Sequence, residues 1–207
     1  MNILAMDTSS DKLLLAVLKG NKMFISQKRE GKYMETLLPL IDELLAEAEL
    51  KLKDLNTIGV VVGPGSFTGI RIGVATVKGF LQVFKNIKVA AINSLDLLAY
   101  TTRAKLHETD ITAIIPSTAS KLYVGRFKNA RTPRYSLEDV KGFDEDAVSE
   151  GHYDLDINVR KVDIDEKNLI DFCVECLKSG KLGDFKPYYL ALSQAEAELL
   201  KKEGSNA

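Results

Sequence analysis

Cysteine and histidine are scarce in this sequence, two of each in 207 residues, and their placement excludes most of the chemistry they support. Cys173 and Cys176 form a C-x-x-C inside a stretch, Glu166 to Lys178, that reads as helical. It lacks the strand-then-helix-start setting of a redox motif. A zinc site would need further ligands, which the distant His107 and His152 do not supply. The two thiols are therefore expected to be half-buried helix residues. An excess of one charge is missing too: 28 Lys and Arg face 29 Asp and Glu, for a formal net charge of −1. No global basic field draws nucleic acid or an anionic membrane. No run approaches the roughly 18 apolar residues of a membrane span. Met1 to Ser10 lacks the basic region, long apolar stretch and cleavage site of a signal peptide. The expectation is a cytoplasmic protein with no membrane contact.

What is present is core material, 45% hydrophobic residues, enough for one large domain or two small ones. Asn2 to Met6, Lys12 to Leu18 and Lys22 to Gln27, separated by polar turns, predict a three-stranded antiparallel meander. Met34, Leu38, Ile41, Leu45 and Ala48 recur at steps of three and four, which predicts a helix over Tyr33 to Leu50. A buried strand is expected at Thr57 to Val62, a helix at Ile70 to Phe84, a strand at Lys88 to Ile92 and a helix from Ser94 to Lys105. Strands at Ile111 to Ile115 and Lys121 to Phe127 follow. Beyond Lys128 the pattern weakens: Asn129 to Arg134 reads as a loop and Asp144 to Ser149 as at best a short helix. Lys186 to Leu192 looks extended, and Gln194 to Glu203 is compatible with a charged terminal helix. No internal repeat is visible. Strands and helices in this order predict an α/β fold with mixed sheets, two-lobed and actin-like in the manner of sugar kinases, Hsp70 and ribonuclease H, with lobes at 1–105 and 106–207.

Gly63, Gly65 and Gly69 stand between a buried strand and a helix, where free amides and the helix dipole favour an anion. The spacing fits neither fingerprint: a dinucleotide motif needs glycine where Thr68 stands, and a P-loop needs a Gly-Lys-Ser/Thr ending. The glycines are better read as permitting a tight turn and close helix packing. On the next helix Ile70, Val74, Val77, Leu81 and Phe84 form one apolar stripe, while Ile72, Ala75, Phe80 and Val83 cover much of the rest. Such a helix must be covered on more than one side. The cover is either the helix at 34–49 or a second protein.

Ile3-Leu4-Ala5-Met6-Asp7-Thr8-Ser9, Leu37-Leu38-Pro39, Gly63-Pro64-Gly65-Ser66-Phe67-Thr68-Gly69-Ile70-Arg71-Ile72-Gly73, Lys78-Gly79 and Pro187-Tyr188-Tyr189-Leu190 resemble the TsaB (YeaZ) family. The likeness is firm over the first hundred residues and loose beyond. It implies a catalytically silent actin-like subunit that supports threonylcarbamoylation of adenosine 37 in tRNAs reading ANN codons. The implied partner is TsaD, the catalytic paralogue, and through it TsaE; alone, the chain would pair with itself. Met34, Leu38, Ile41, Leu45, Val74, Val77 and Leu81 are then the expected contacts, with Arg71 and Lys78 at the polar rim. ATP or ADP at the interface with TsaD is an implied possibility, none being assigned to this chain alone. The chain departs from the family at Tyr33, Pro116-Ser117-Thr118 and Ala191.

Two other functions compete. An ATP-dependent or metallopeptidase-like enzyme of the same superfold would rely on Asp7, with Thr8 and Ser9, in the turn after the first strand, although an acid there is also an ordinary turn residue. The paired histidines of the catalytic paralogue and a second glycine-rich phosphate loop are missing. A local tRNA contact would use Lys121, Arg126, Lys128, Arg131 and Arg134 with Tyr123, Phe127 and Tyr135 interleaved, but strand alternation divides these charges between two faces.

Overall fold

The computed structural model describes residues 1–26, 33–128, 132–151, 153, 157–180 and 185–188, which form two five-stranded sheets with four α-helices and one short 3-10 helix (Leu52–Asp54). In the first lobe β1 (Asn2–Asp7), β2 (Leu14–Lys19) and β3 (Lys22–Ile25) form an antiparallel meander, and β4 (Thr57–Gly63) and β5 (Lys88–Asn93) add in parallel, giving the order β3-β2-β1-β4-β5. The helices are α1 (Tyr33–Glu47), α2 (Phe67–Val83) and α3 (Ser94–Leu106). In the second, β6 (Ile111–Thr118), β7 (Lys121–Phe127) and β8 (Arg134–Asp139) are antiparallel, and β9 (Ala147–Ser149) and β10 (Val159–Lys161) add in parallel, followed by α4 (Glu166–Lys178).

The second sheet therefore runs β8-β7-β6-β9-β10, the same order and the same pairing directions as the first. This duplication, invisible in the sequence, is the actin-like, ribonuclease H-like arrangement expected from the element pattern. The copies are furnished unequally. Where α1 and α2 stand in the first lobe, short connections stand between β8, β9 and β10. Two expectations are overturned here. Arg134 opens a strand rather than ending a loop, and Ala147–Ser149 is a strand rather than helical. Gln194 to Glu203 lies outside the described residues.

β4 is buried at every position because both its faces are covered. Ile58, Val60 and Val62 join Leu37, Ile41 and Leu45 of α1 and Ile70, Val74 and Val77 of α2 in one cluster, while Val61 looks into another. Removing each such aliphatic side chain from water contributes roughly 1.5–3 kcal/mol. The second cluster lies between the sheets and is built on exchanged helices: α3 packs mainly on β6 and its neighbours, α4 on β1 and β2. Cys173 and Cys176 are fully rather than half buried in it. A Cβ at Gly59 would lie 2.7 Å from the Cys173 Sγ, so β4 and α4 touch backbone to side chain. Burial pushes the Cys173 thiol up to about 12, which leaves it an inert core residue. Caps fix the helix starts. Asn93 Oδ1 accepts from the Leu95 and Asp96 amides at α3, and Asp165 accepts from the Asn168 amide at α4.

The outer face of the second sheet has only a small apolar cluster around Ile114, Leu122, Val124 and Ala147. Charge completes it. Arg126 forks onto Glu138 at 2.6 and 2.8 Å and onto Glu145 at 2.8 Å, and Thr112 donates to Glu145 at 3.0 Å. The hydrogen bonds from Arg126 hold the Glu138 carboxyl down to about 2. Glu138's contribution is thus complete above its ordinary value of 4.5 and lost as pH falls towards 2. Arg126→Ala, which strands both half-buried carboxylates, should cost about 1–3 kcal/mol in urea denaturation at pH 7, and the deficit should narrow on acidification through that window.

Candidate functional site

Two regions could carry function, the cleft between the lobes and the outer face of α1 and α2. The cleft holds a cavity of about 230 Å³ lined by Asp7, Ser9, Ser10 and Asp11 from the turn after β1, Gly65 and Ser66 from the glycine loop, Ser94, and Glu150 and Tyr153 from the segment after β9. Asp7 is fully buried. Desolvation pushes its carboxyl up, against the Ser9 amide that donates to Asp7 Oδ1 at 2.7 Å. Thr8 and Ser9 have structural work. Thr8 Oγ1 donates to the Gly69 carbonyl at 2.7 Å, the Ser9 carbonyl accepts from the Ser66 amide at 2.7 Å, and the Ser9 and Ser94 hydroxyls share a 3.4 Å contact.

This seating explains the glycines. A Cβ at Gly69 would lie 1.8 Å from the Thr8 carbonyl oxygen, and one at Gly65 2.4 Å from that of Ser9. Gly65 has φ +154° and Gly63 φ +107°. The loop amides are partly consumed as well, Ser66 by Ser9 and Gly69 by the Ser66 Oγ cap at 3.3 Å. A nucleotide, which the superfold implies, does not fit these residues. The lining has three acidic side chains and no basic one among the described residues, so it offers phosphate no countercharge, and the volume falls below the roughly 300–1,000 Å³ of ordinary ligand pockets.

Glu150 was not legible as a site residue. It sits after β9 as Pro64 sits after β4, so the topological repeat was the signal that would have found it. Of the residues that a local tRNA contact would use, Arg126 is engaged as above, Lys121 pairs with Asp139 at 3.5 Å, Lys128 and Arg134 are exposed, and Arg131 lies outside the described residues.

The second region corrects part of the expected contact set. Ile41, Leu45, Val74 and Val77 are at most 3% exposed and face their own sheet, because the stripe on each helix that reads as most apolar is the one its monomer needs. Leu81 is half-buried, and the side chain of Met34 lies outside the described residues. Among the described residues of these helices, Leu38 (52%), Val83 (73%) and Phe67 (37%) are the large apolar side chains that face outward, with the Arg71 guanidinium 3.6 Å from the Phe67 ring centre and Lys78 exposed one face along. Ala75 and Gly79 keep the strip between them shallow.

The family model described as "TsaD: tRNA N6-adenosine threonylcarbamoyltransferase" matches residues 25–156. The chain belongs to this family. Its relatives place it on the TsaB (YeaZ) side, as the residues in the glycine loop and first strand had implied. "tRNA threonylcarbamoyladenosine biosynthesis protein TsaB" of Buchnera aphidicola subsp. Schizaphis graminum is 31% identical over 131 residues, 63% of this chain and 62% of that protein. The protein of the same name in Bacillus subtilis is 31% identical over 131 residues, 62% of this chain and 56% of that one. The matches thus span little more than half the length of these curated relatives. "YeaZ from Pseudomonas aeruginosa" superposes with a TM-score of 0.71 over 91% of this chain and 99% of that one at 21% identity, which establishes the shared fold.

The glycines yield a paired prediction. Gly69→Ala should destabilise the protein by about 3 kcal/mol or more, since its Cβ has nowhere to go. Gly79→Ala, on an open helix surface, should stabilise by up to about 1 kcal/mol. Urea denaturation of both variants checks it.

Proposed function

We propose that this chain is a non-catalytic scaffold and activator subunit that pairs with a TsaD-type transferase to make threonylcarbamoyladenosine at position 37 of tRNAs reading ANN codons. The observation that carries the reading is the surface of α1 and α2: a monomer core already complete beneath, and Leu38, Phe67 and Val83 facing outward beside Arg71 and Lys78. Apolar side chains that the monomer leaves in water, flanked by cations, suit a helix-on-helix contact with a charged rim. The relatives named as TsaB biosynthesis proteins support the pathway. An acidic cleft with its loop amides partly occupied argues for a supporting rather than a catalytic part.

In this reading TsaE joins through TsaD, the same helices pair two copies when TsaD is absent, and any ATP or ADP lies at the interface with TsaD rather than in the cleft. The complex works in the cytoplasm. Contact with tRNA is made chiefly by the partner.

Co-expression with the same organism's TsaD, size exclusion and a threonylcarbamoyl transfer assay test it. The pair should co-elute and only the pair should be active. Leu38→Glu with Val83→Glu should weaken pairing at least tenfold, about 1.4 kcal/mol, while leaving the subunit's melting temperature within a degree or two, because both side chains are exposed. Activity of the isolated chain, or micromolar ATP binding to it by calorimetry, would replace this reading with the enzyme.

A further inference from the structure

The cleft contains a feature that pairing on α1 and α2 does not use. Asp7 ends β1 in the first lobe and Glu150 follows β9 in the second, so two carboxylates enter one small cavity from opposite sides. Asp7 is 2% exposed, and Glu150 Oε1 is buried with no hydrogen-bond partner. An ionised Glu150 forgoes water at that oxygen and gains no donor there, whereas a protonated one forgoes little.

The neighbouring cations, Lys12 and Lys161, relieve it only in part. Lys12, from the turn after β1, and Lys161, of β10, both reach Asp163, at 3.5 and 3.1 Å. Asp11 and Asp163 add negative charge, and Tyr153 closes the near side. A Cβ at Gly151 would lie 2.6 Å from the Tyr153 ring, so the turn beside Glu150 is tightly packed there. Ser149 Oγ fixes the same turn by donating to the Gly151 carbonyl at 2.7 Å.

We propose that Asp7 and Glu150 form a proton-operated latch between the lobes: with Glu150 protonated the segment 149–151 stays seated in the cleft, and with both carboxylates ionised it is driven outward and the lobes loosen. The proton is exchanged with solvent and no covalent bond changes. Burial, and then the charge of Asp7, push Glu150 up to about 7, which sets the operating range. The sign follows from linkage. Because the folded state binds this proton more tightly than the unfolded chain, whose ordinary value is 4.5, the seated form is favoured at low pH and loses that advantage as pH rises through about 7.

The test uses the whole wild-type chain first. Carbon-13 NMR of labelled glutamate should find the Glu150 carboxyl titrating near neutrality. Amide exchange at Ser9 and at 149–151, corrected for the intrinsic pH dependence, should rise several-fold between pH 6 and 8.5. Glu150→Gln should hold exchange near its low-pH level throughout, and Asp7→Asn should move the Glu150 titration towards the ordinary carboxylate range. Titration of Glu150 below about pH 5.5 in the wild type would overturn the latch whatever the variants do. An exchange profile unchanged by Glu150→Gln would overturn it equally.

Discussion

The seating of the glycine loop on the turn after β1 is the contact from which the first lobe takes its shape. Thr8 donates its hydroxyl to the Gly69 carbonyl, and Ser66 its amide to Ser9, across a gap that admits no Cβ at Gly65 or Gly69. Because the backbone of α2 starts at that distance, its Ile70, Val74 and Val77 stripe falls onto the sheet beside α1. The opposite stripe, with Arg71, Lys78 and Val83, is thereby turned to water. The same contact closes one wall of the cleft and leaves Asp7 buried behind it. One close approach of backbones thus decides which residues are core, which are surface and where the buried acid points.

The lobes are tied by a layer that belongs to both. α3 follows the first sheet in the chain but rests on the second, and α4 follows the second but rests on the first. Leu95, Leu98, Leu169 and Cys173 therefore share one cluster with strands of both sheets. Neither sheet completes that cluster alone, so it joins the walls of the cleft at their base. Lys12 and Asp163 join them again by an ion pair at 3.5 Å, and Glu150 lines the cavity between them.

The first lobe was largely legible in the sequence because its elements are covered by apolar neighbours, and apolar neighbours leave a period. β4 is a continuous buried run, and the helical spacings on α1, α2, α3 and α4 all have matching helices. The second lobe was less legible for a physical reason. On β8, Tyr135 and Leu137 alternate with Ser136 and Glu138, and the outer member of each pair is satisfied by Arg126 rather than by hydrocarbon, so hydrophobicity carries half a signal. β9 and β10 are three residues long and draw their stability from parallel neighbours distant in sequence. Four of the expected contact residues on α1 and α2, Ile41, Leu45, Val74 and Val77, are buried because periodicity finds the face a helix buries. Which exposed face a second protein would use is a matter of what remains after the monomer's own core is filled. Glu150 carried no local signal; only the repeated topology, itself hidden at the sequence level, singles out its position.

The unequal furnishing of two equivalent sheets bears on both regions at once. The first sheet's outer face is covered by two helices, and helices have a second side, so that lobe has surface to offer once its core is complete. The second sheet's outer face is closed by a short connection and a fork of Arg126 on Glu138 and Glu145, which satisfies the sheet without creating a new face. In the proposed pairing, docking therefore belongs to the first lobe by construction. The same economy in the second lobe places a short connection, rather than a helix, after β9, and that connection brings a carboxylate into the cleft. A glycine-rich turn with vacant amides would attract phosphate at this position. In the proposed latch a glutamate beside Asp7 takes up a proton instead, so the residue that offers phosphate no donor is also the one that answers to pH.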